Sequence, residues 1–195
     1  MGYQFQIPQT PQGANPVATI TFTDGGVITA ELRPDVAPNS VCNFIKLANE
    51  GYFAGKIFHR VIPNFMIQGG SPNGDGLSTG FKYAIPGEFS ANGWNNTLSH
   101  KRGVLSMARM GSGGVGGYGY NTASCQFFIC NADSTFLDPN YAAFGVVLTG
   151  MDVVDRITAL PRNASDKPLS PPVIQSVTVD TKGLAYPEPV TVAAP

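Results

Sequence analysis

Glycine and proline interrupt this sequence so often that only short elements of secondary structure fit between them. The chain of 195 residues contains 23 glycines and 16 prolines, while only 13% of its residues are charged. Both residue types mark turns, and so low a charged fraction is unusual for a soluble domain. This combination favours one compact β-rich domain with many turns, and it argues against long helices, a coiled coil or a disordered chain.

Short segments of alternating apolar and polar residues predict β-strands. Val17–Phe22 alternates apolar residues with threonine, Asp24-Gly25-Gly26 predicts a hairpin turn, and Val27–Leu32 is the returning strand. Further strands are predicted at residues 103–107, 126–130, 143–148 and 173–179. The segments between them, at 71–99, 132–141 and 161–172, read as loops with short strands.

Two segments have the periodicity of amphipathic helices. The first begins at Pro38 and ends near Gly51. Its apolar face consists of Val41, Phe44, Ile45 and Ala48. The second covers residues 150–157 and carries Asp152 near its start, where the helix dipole favours an acid. Two helices far apart among many strands predict a closed β structure capped by helices.

The chain shows neither an internal repeat nor a change of composition that would divide it. We therefore expect a single domain over residues 1–195. Residues 1–15, rich in glutamine and proline, predict an extended arm on the body of the domain. Residues 184–195 predict a loose C-terminal tail.

Charge and cysteine usage limit the partners and the compartment. The net charge is −1 without a basic run, so we expect neither nucleic acid nor a membrane as a partner. The N-terminus lacks the pattern of a signal peptide and no segment is long enough to span a bilayer, so a cytoplasmic protein is expected. The three cysteines, Cys42, Cys125 and Cys130, are an odd number without zinc spacing, which favours buried free thiols.

Common catalytic motifs are missing or incomplete. The sequence contains only two histidines, His59 and His100, and no cluster of acidic residues. We therefore expect neither a metal site nor a cofactor. Residues 111–116 fit GxGxxG, but Gly117-Tyr118-Gly119 follows where a nucleotide-binding helix should start, so we expect a flexible loop over 111–119. Neither histidine lies in an activating sequence context, and nothing points to a nucleophilic serine or cysteine.

Residues 57–70 form a mostly apolar stretch that carries one arginine and one glutamine. Strand alternation would place Phe58, Arg60 and Ile62 on one face and His59 on the opposite face, as a hydrogen-bonded structural residue. A turn at Pro63-Asn64 would lead back into an apolar run that ends at Gln68. From this pattern alone, Arg60 is either an edge-strand residue that reaches water or a working group at the rim of an apolar pocket.

The segment FHRVIPNFMIQGG resembles the signature of the cyclophilin family of peptidyl-prolyl cis-trans isomerases, and the likeness continues in order from about residue 17 to residue 179. The resemblance implies a mainly β fold, an eight-stranded antiparallel barrel capped by two α-helices. It also implies a site on the outer surface of the barrel, with Arg60 and Gln68 as catalytic residues. The residues implied to bind the substrate are Phe65, Met66, Gly74, Ala108, Arg109, Met110, Gln126, Phe128, Phe136, Leu137 and Tyr141.

Three positions depart from the pattern of many members of that family. Arg109 stands where many have asparagine, Phe136 where many have tryptophan, and Tyr141 where many have histidine. The last two resemble bacterial members, which implies activity on prolines but weaker binding of cyclosporin because of Phe136. The glycine-rich loop over 110–123 is also longer than usual in the family.

The resemblance implies an isomerase that acts during protein folding, without cofactor or covalent intermediate. Its partners would be proline-containing peptides and unfolded or folded protein clients, and we expect a monomer. Two alternatives stay open: a module that binds proline without turnover, and a β-rich ligand-binding domain outside the family. The presence of both Arg60 and Gln68 favours an isomerase over a binding module, because binding of proline alone would need these two groups less.

Overall fold

The computed structural model describes residues 2–111 and 119–194, and β-strands dominate these ranges. The strands are β1 Val17–Phe22, β2 Val27–Leu32, β3 Phe58–Ile62, β4 Met66–Gly69, β5 Tyr83–Ala84, β6 Val104–Met107, β7 Phe127–Cys130, β8 Ala143–Thr149, β9 Ile174–Asp180 and β10 Val192–Ala193. The helices are α1 Pro38–Asn49 and α2 Met151–Thr158. The predicted loop over 111–119 lies mostly outside the described residues.

Within the described ranges, eight strands form one antiparallel sheet in the order β3-β4-β7-β6-β8-β2-β1-β9. The sheet curls until its two edge strands meet, because an antiparallel bridge joins Ile57 to Val173. Closing a sheet in this way satisfies the backbone groups that an open edge would leave unpaired. The predicted mainly β fold with an eight-stranded sheet and two helices is therefore confirmed.

The β1–β2 hairpin follows from local signals in the sequence, whereas the start of α1 also depends on a distant residue. The β1–β2 hairpin turns where Asp24 accepts a hydrogen bond from Gly26 N at 2.9 Å and Gly25 has φ 87°. Helix α1 has no capping side chain at Ala37. Instead, the distant carboxylate of Glu88 accepts hydrogen bonds from the backbone N–H groups of Asn39 and Ser40, at 2.9 and 2.8 Å.

The barrel interior is filled by phenylalanine rings. Phe44 from α1 contacts Phe53, Phe127 and Phe144, with ring centroids 5.1 to 5.4 Å apart, and Phe58 contacts Phe127 at 5.8 Å. All five rings are almost fully buried. The side chains that face the outside of the barrel at β3, β4 and β7 are therefore free to build a site on its surface.

The expectation of a loose tail at 184–195 is wrong for the described residues up to 194. Val190 exchanges two hydrogen bonds with Asn39, at 2.7 and 2.9 Å, and β10 pairs with β5. Lys46 adds an ion pair to Glu188 at 2.8 Å. Sequence pattern gave no sign of this docking, because the partners lie more than a hundred residues away along the chain.

Candidate active site

The hairpin of β3 and β4 brings the arginine and the glutamine together. Asn64 adopts φ 58°, as the predicted turn requires, and its N–H donates to Asn131 Oδ1 at 3.0 Å. In the resulting register Arg60 lies opposite Gln68, and Ile62 lies opposite Met66. Cross-strand partners are close neighbours on one face of a sheet, so this short stretch forms one wall of a site.

A β-bulge changes the faces of β3 from those expected. The register shifts between Phe58 and Arg60, and both Phe58 and Val61 are fully buried in the core while Arg60 is exposed. The prediction that Phe58 and Arg60 share a face is therefore wrong. The prediction that His59 points away from Arg60 is also wrong, since both residues line the same cavity.

His59 is not the hydrogen-bonded structural residue that was expected. Its Nδ1 is buried without a hydrogen-bond partner among the described residues. Burial, reinforced by the positive charges of Lys167 and Arg60, lowers the pKa of His59 to about 4. At neutral pH the imidazole is therefore uncharged.

A cavity of about 580 Å³ on the barrel surface gathers most of the predicted site residues. The predicted residues that line it are Arg60, Phe65, Met66, Gln68, Gly74, Ala108, Arg109, Phe128, Leu137 and Tyr141. Gln126 and Met110 instead line an adjoining hollow of about 310 Å³, which shares Gln68 and Arg109 with the cavity. Phe136 is 69% exposed, and its ring lies 5.7 Å from that of Phe65.

One end of the cavity is apolar, and we call it the apolar end: Phe65, Met66, Phe128, Leu137 and Tyr141. Met66, Phe128 and Leu137 are 2%, 5% and 7% exposed and belong to one cluster of buried side chains. Tyr141 meets Phe128 edge to face at 5.9 Å. A lining of rings and branched side chains around a small hollow suits a compact apolar group such as a proline ring.

The amides beside the apolar end form a fixed chain. Gln68 Nε2 donates to Gln126 Oε1 at 3.1 Å, and Gln126 Nε2 donates to Gly76 O and Ser78 Oγ, both at 3.0 Å. The side-chain amide of Gln68 is thus fixed by Gln126. Among the described residues the side chain of Arg60 has neither a hydrogen bond nor an ion pair, so its donors are available to a ligand.

Arg109 is held in the cavity wall rather than extended freely. Its Nε donates to Asn140 O at 2.8 Å, and its NH1 donates to Met110 O at 3.0 Å. The guanidinium also lies 4.7 Å from the ring centroid of Tyr141 and 5.2 Å from that of Tyr120. These contacts fix the backbone around Ala108 and Arg109, the segment predicted to hold the substrate chain.

A relay of side chains, unexpected from the sequence, lies behind the apolar end: the partly exposed Ser99 and Asp138 and the buried His100 and Ser106. Asp138 accepts from Ser99 Oγ at 2.6 Å and lies 2.7 Å from His100 Nδ1, while His100 Nε2 lies 2.9 Å from Ser106 Oγ. The order resembles a hydrolytic triad, but Ser106 and His100 are fully buried and cannot reach a substrate. The His100 ring stacks on Phe128 at 6.0 Å, so the relay supports the cavity wall.

Other kinds of site find no support in the described residues. There, no three His, Cys, Asp or Glu side chains come close enough to hold a metal ion. The three cysteines are free and buried, and burial raises the pKa of Cys42 and Cys130 to about 12, so neither is a reactive thiolate. None of the helices in residues 2–111 and 119–194 is long and apolar enough to cross a membrane.

Known proteins resemble this chain both in sequence and in fold. A peptidyl-prolyl cis-trans isomerase of Schizosaccharomyces pombe is 40% identical over 76% of this chain and 90% of its own length. A peptidyl-prolyl cis-trans isomerase-like protein of Gibberella zeae is 37% identical over 80% of this chain, which spans only 25% of that longer protein. A cyclophilin type isomerase of Cryptosporidium parvum, solved in the presence of the dipeptide Ala-Pro, has a TM-score of 0.72 and 28% identity, covering 84% of this chain and 98% of its own.

The family model for "Cyclophilin type peptidyl-prolyl cis-trans isomerase/CLD" matches residues 17–179, which is most of the chain. This match agrees with the curled eight-stranded sheet and its two helices. The chain therefore belongs to the cyclophilin-type peptidyl-prolyl cis-trans isomerases.

Proposed function

We propose that this chain isomerises X-Pro bonds in peptides and in unfolded or folded protein clients, with Arg60 as the catalytic group. One observation carries the proposal. The side chain of Arg60 has no hydrogen bond or ion pair with any described residue, although it lines a cavity whose apolar end suits a proline ring. A guanidinium left without partners in such a position is arranged for a ligand rather than for stability.

The energy that such a catalyst must supply is modest. Rotation about an X-Pro bond is opposed by amide resonance, with a barrier of roughly 18–20 kcal/mol. A turnover of about 10³ s⁻¹ requires the upper value to fall by about 7 kcal/mol. No bond to a heavy atom is made or broken, so the reaction needs no nucleophile, metal or cofactor.

Arg60 supplies the polar part of this stabilisation. As the amide twists, its lone pair localises on the prolyl nitrogen, and a fixed guanidinium donates a hydrogen bond to that nitrogen or to the neighbouring carbonyl. A charge-assisted hydrogen bond contributes about 1.5–3 kcal/mol. Arginine alone therefore provides less than half of what is needed.

The apolar end supplies the remainder by holding the proline ring and favouring the less polar, twisted amide. Phe65, Met66, Phe128 and Leu137 would grip the ring. Gln68, fixed by Gln126, would align the substrate backbone, and the residues before the proline would lie along Gln126, Ala108 and Arg109. Because these groups are held in place before the substrate arrives, little energy is lost in arranging them.

The test is a peptide isomerisation assay on the wild type, Arg60→Ala and Arg60→Lys, with binding of the same peptide followed by NMR. We expect Arg60→Ala to lower kcat/KM about 10- to 100-fold, the loss of one charge-assisted hydrogen bond, while peptide still binds. Arg60→Lys should recover only part of the rate, because an ammonium lacks the planar fork. Equal rates for the wild type and Arg60→Ala would instead indicate a module that binds proline without using Arg60.

Three further points belong to this proposal. A cytoplasmic location is supported by the three free thiols, which are usual in reducing compartments, and cell fractionation tests it. A monomer is expected, and sedimentation tests it. Cyclosporin should bind weakly, because Phe136 lacks the N–H donor of an indole, and a titration measures this.

A further inference from the structure

The cavity continues past Arg60 into a second, polar part that the isomerase mechanism does not use. We call this part the polar end, and its residues are His59, Gly74, Asp75, Gly76, Asn163, Ser165 and Lys167. The segment at 161–172, expected only as a loop, provides three of them. A cavity with a chemically distinct extension beside a peptide bond can select the residues that flank that bond.

Backbone hydrogen bonds hold Lys167 at this position. Val61 N donates to Asp166 O at 2.8 Å, which ties the loop to β3. Asn163 Oδ1 accepts from the N–H groups of Ser165 and Lys167, at 2.9 and 3.1 Å. Lys167 Nζ donates to Gly74 O at 3.0 Å, and both residues line the cavity. The ammonium is therefore a positioned group rather than a freely moving surface charge.

Most lysines and arginines of the described residues form ion pairs, whereas those that line the cavity do not. The lysines and arginines that form ion pairs with acidic side chains are Arg33, Lys46, Lys101, Arg102, Arg156, Arg162 and Lys182. Arg60, Arg109 and Lys167 line the cavity and form none with any described residue. Lys56 and Lys82 also form no ion pair with a described residue, so three of the five cations without one lie at the cavity.

Within the polar end the carboxylate of Asp75 offsets the charge of Lys167, and the positive excess of the cavity comes from Arg60 and Arg109. Asp75 is the one carboxylate among the described lining residues, and the hydrogen bond from Leu77 N lowers its pKa, so it is ionised. His59 is neutral at pH 7, since burial lowers its pKa. Over the whole cavity three cations face one carboxylate, so a positive excess remains, which favours a bound anion.

We propose that the polar end binds the carboxylate of an acidic residue beside the prolyl bond, with Lys167 as its direct ligand. The inference rests on the proposed function, because it assigns a substrate preference to the same cavity. Lys167 retains donors beyond the one it gives to Gly74, since an ammonium has three. Substrates with Asp or Glu near the proline would therefore be isomerised more efficiently than neutral ones.

The test uses pairs of X-Pro peptides that differ only by Glu or Gln, placed one or two residues before or after the proline. The measured quantity is the ratio of kcat/KM for the Glu peptide to that for the Gln peptide. We expect a ratio above one for the wild type at one of these positions, falling as salt is added. In Lys167→Met this ratio should fall about three- to fivefold, the usual value of a partly exposed ion pair, whereas Lys167→Arg should keep it.

Lys101→Met is the matched control, because it removes the same charge from a surface lysine that pairs with Asp133. It should leave the ratio unchanged, while Asp75→Asn, which removes a repelling charge, should raise it. A ratio that is the same in the wild type and Lys167→Met overturns the inference. If Lys167→Met fails to fold, a wild-type ratio of one, or one insensitive to salt, overturns it equally. Failure to isomerise either peptide would count against the proposed function instead.

Discussion

The two ends of the cavity are built in different ways. The apolar end rests on side chains buried in the barrel wall, and Phe128 is stacked on His100 of the relay that also includes Asp138 and Ser106. Apart from His59 on β3, the polar end is built from loops, held by hydrogen bonds such as that from Val61 N to Asp166 O. One end is part of the core, and the other is attached to its surface.

This difference separates the tasks that each end can perform. Rotation of an amide requires groups that do not move when the bond twists, and buried packing provides them. Selection of flanking residues requires charges that stay near water, where they can be exchanged without loss of the fold. We therefore expect changes at the apolar end to cost stability and rate together, and changes at Lys167 or Asp75 in the polar end to alter substrate preference with little cost in stability.

The largest effect should come from Phe128→Ala. Removing a buried ring opens a cavity and takes away the floor of the proline pocket, so the free energy of unfolding should fall by about 3–5 kcal/mol and the isomerase rate with it. Chemical denaturation measures the first quantity. Phe136→Ala is the control, since its ring is 69% exposed and its stability should change by less than about 0.5 kcal/mol. A similar loss of unfolding free energy in Phe128→Ala and Phe136→Ala would contradict the expected difference between the buried and the exposed ring.

A smaller loss is expected from Asp138→Asn, which weakens the relay without emptying the core. The amide cannot accept hydrogen bonds at both oxygen positions, so the contacts with Ser99 and His100 are not all kept. We expect a loss of about 1.5–3 kcal/mol in unfolding free energy, and a lower kcat because Phe128 is less firmly supported. Asp133→Asn, an exposed acid of the same loop, should leave kcat unchanged.

A third effect concerns the pH dependence of stability, through His59 of the polar end. The folded-state pKa of His59 is lowered to about 4, below its unfolded value of about 6.5, so the unfolded chain binds more protons between these pH values. Stability should therefore fall as the pH drops from about 6.5 to 4. His59→Gln should lose part of this slope, as measured by thermal unfolding across that range. An unchanged slope would show that His59 is not the titrating group.

Local patterns in the sequence predicted the elements that depend on neighbouring residues. The β1–β2 hairpin and the turn at Asn64 follow from the chemistry of a few adjacent residues. The resemblance to cyclophilins then indicated the site residues, and the structure brings most of them to one cavity. The roles of Arg60 and Gln68 stay predictions until the variants are measured.

Features that depend on distant partners could not be read from the pattern. The bulge between Phe58 and Arg60 is a detail of strand pairing, and it reverses the face expected for His59. Asp138 and His100 are separated by 38 residues, so no spacing rule connects them. The sequence pattern places Lys167 only in a loop, because the hydrogen bond that positions its ammonium is to Gly74, which lies on another loop.

The most direct test of the division between the two ends compares Phe128→Ala with Lys167→Met on the Glu and Gln peptides. We predict that Phe128→Ala lowers kcat/KM for both peptides by the same factor, because the proline ring is common to them. Lys167→Met should lower kcat/KM more for the Glu peptide than for the Gln peptide, by about three- to fivefold. If both variants lowered kcat/KM for the two peptides in parallel, the ends would act as one unit and the account would be wrong.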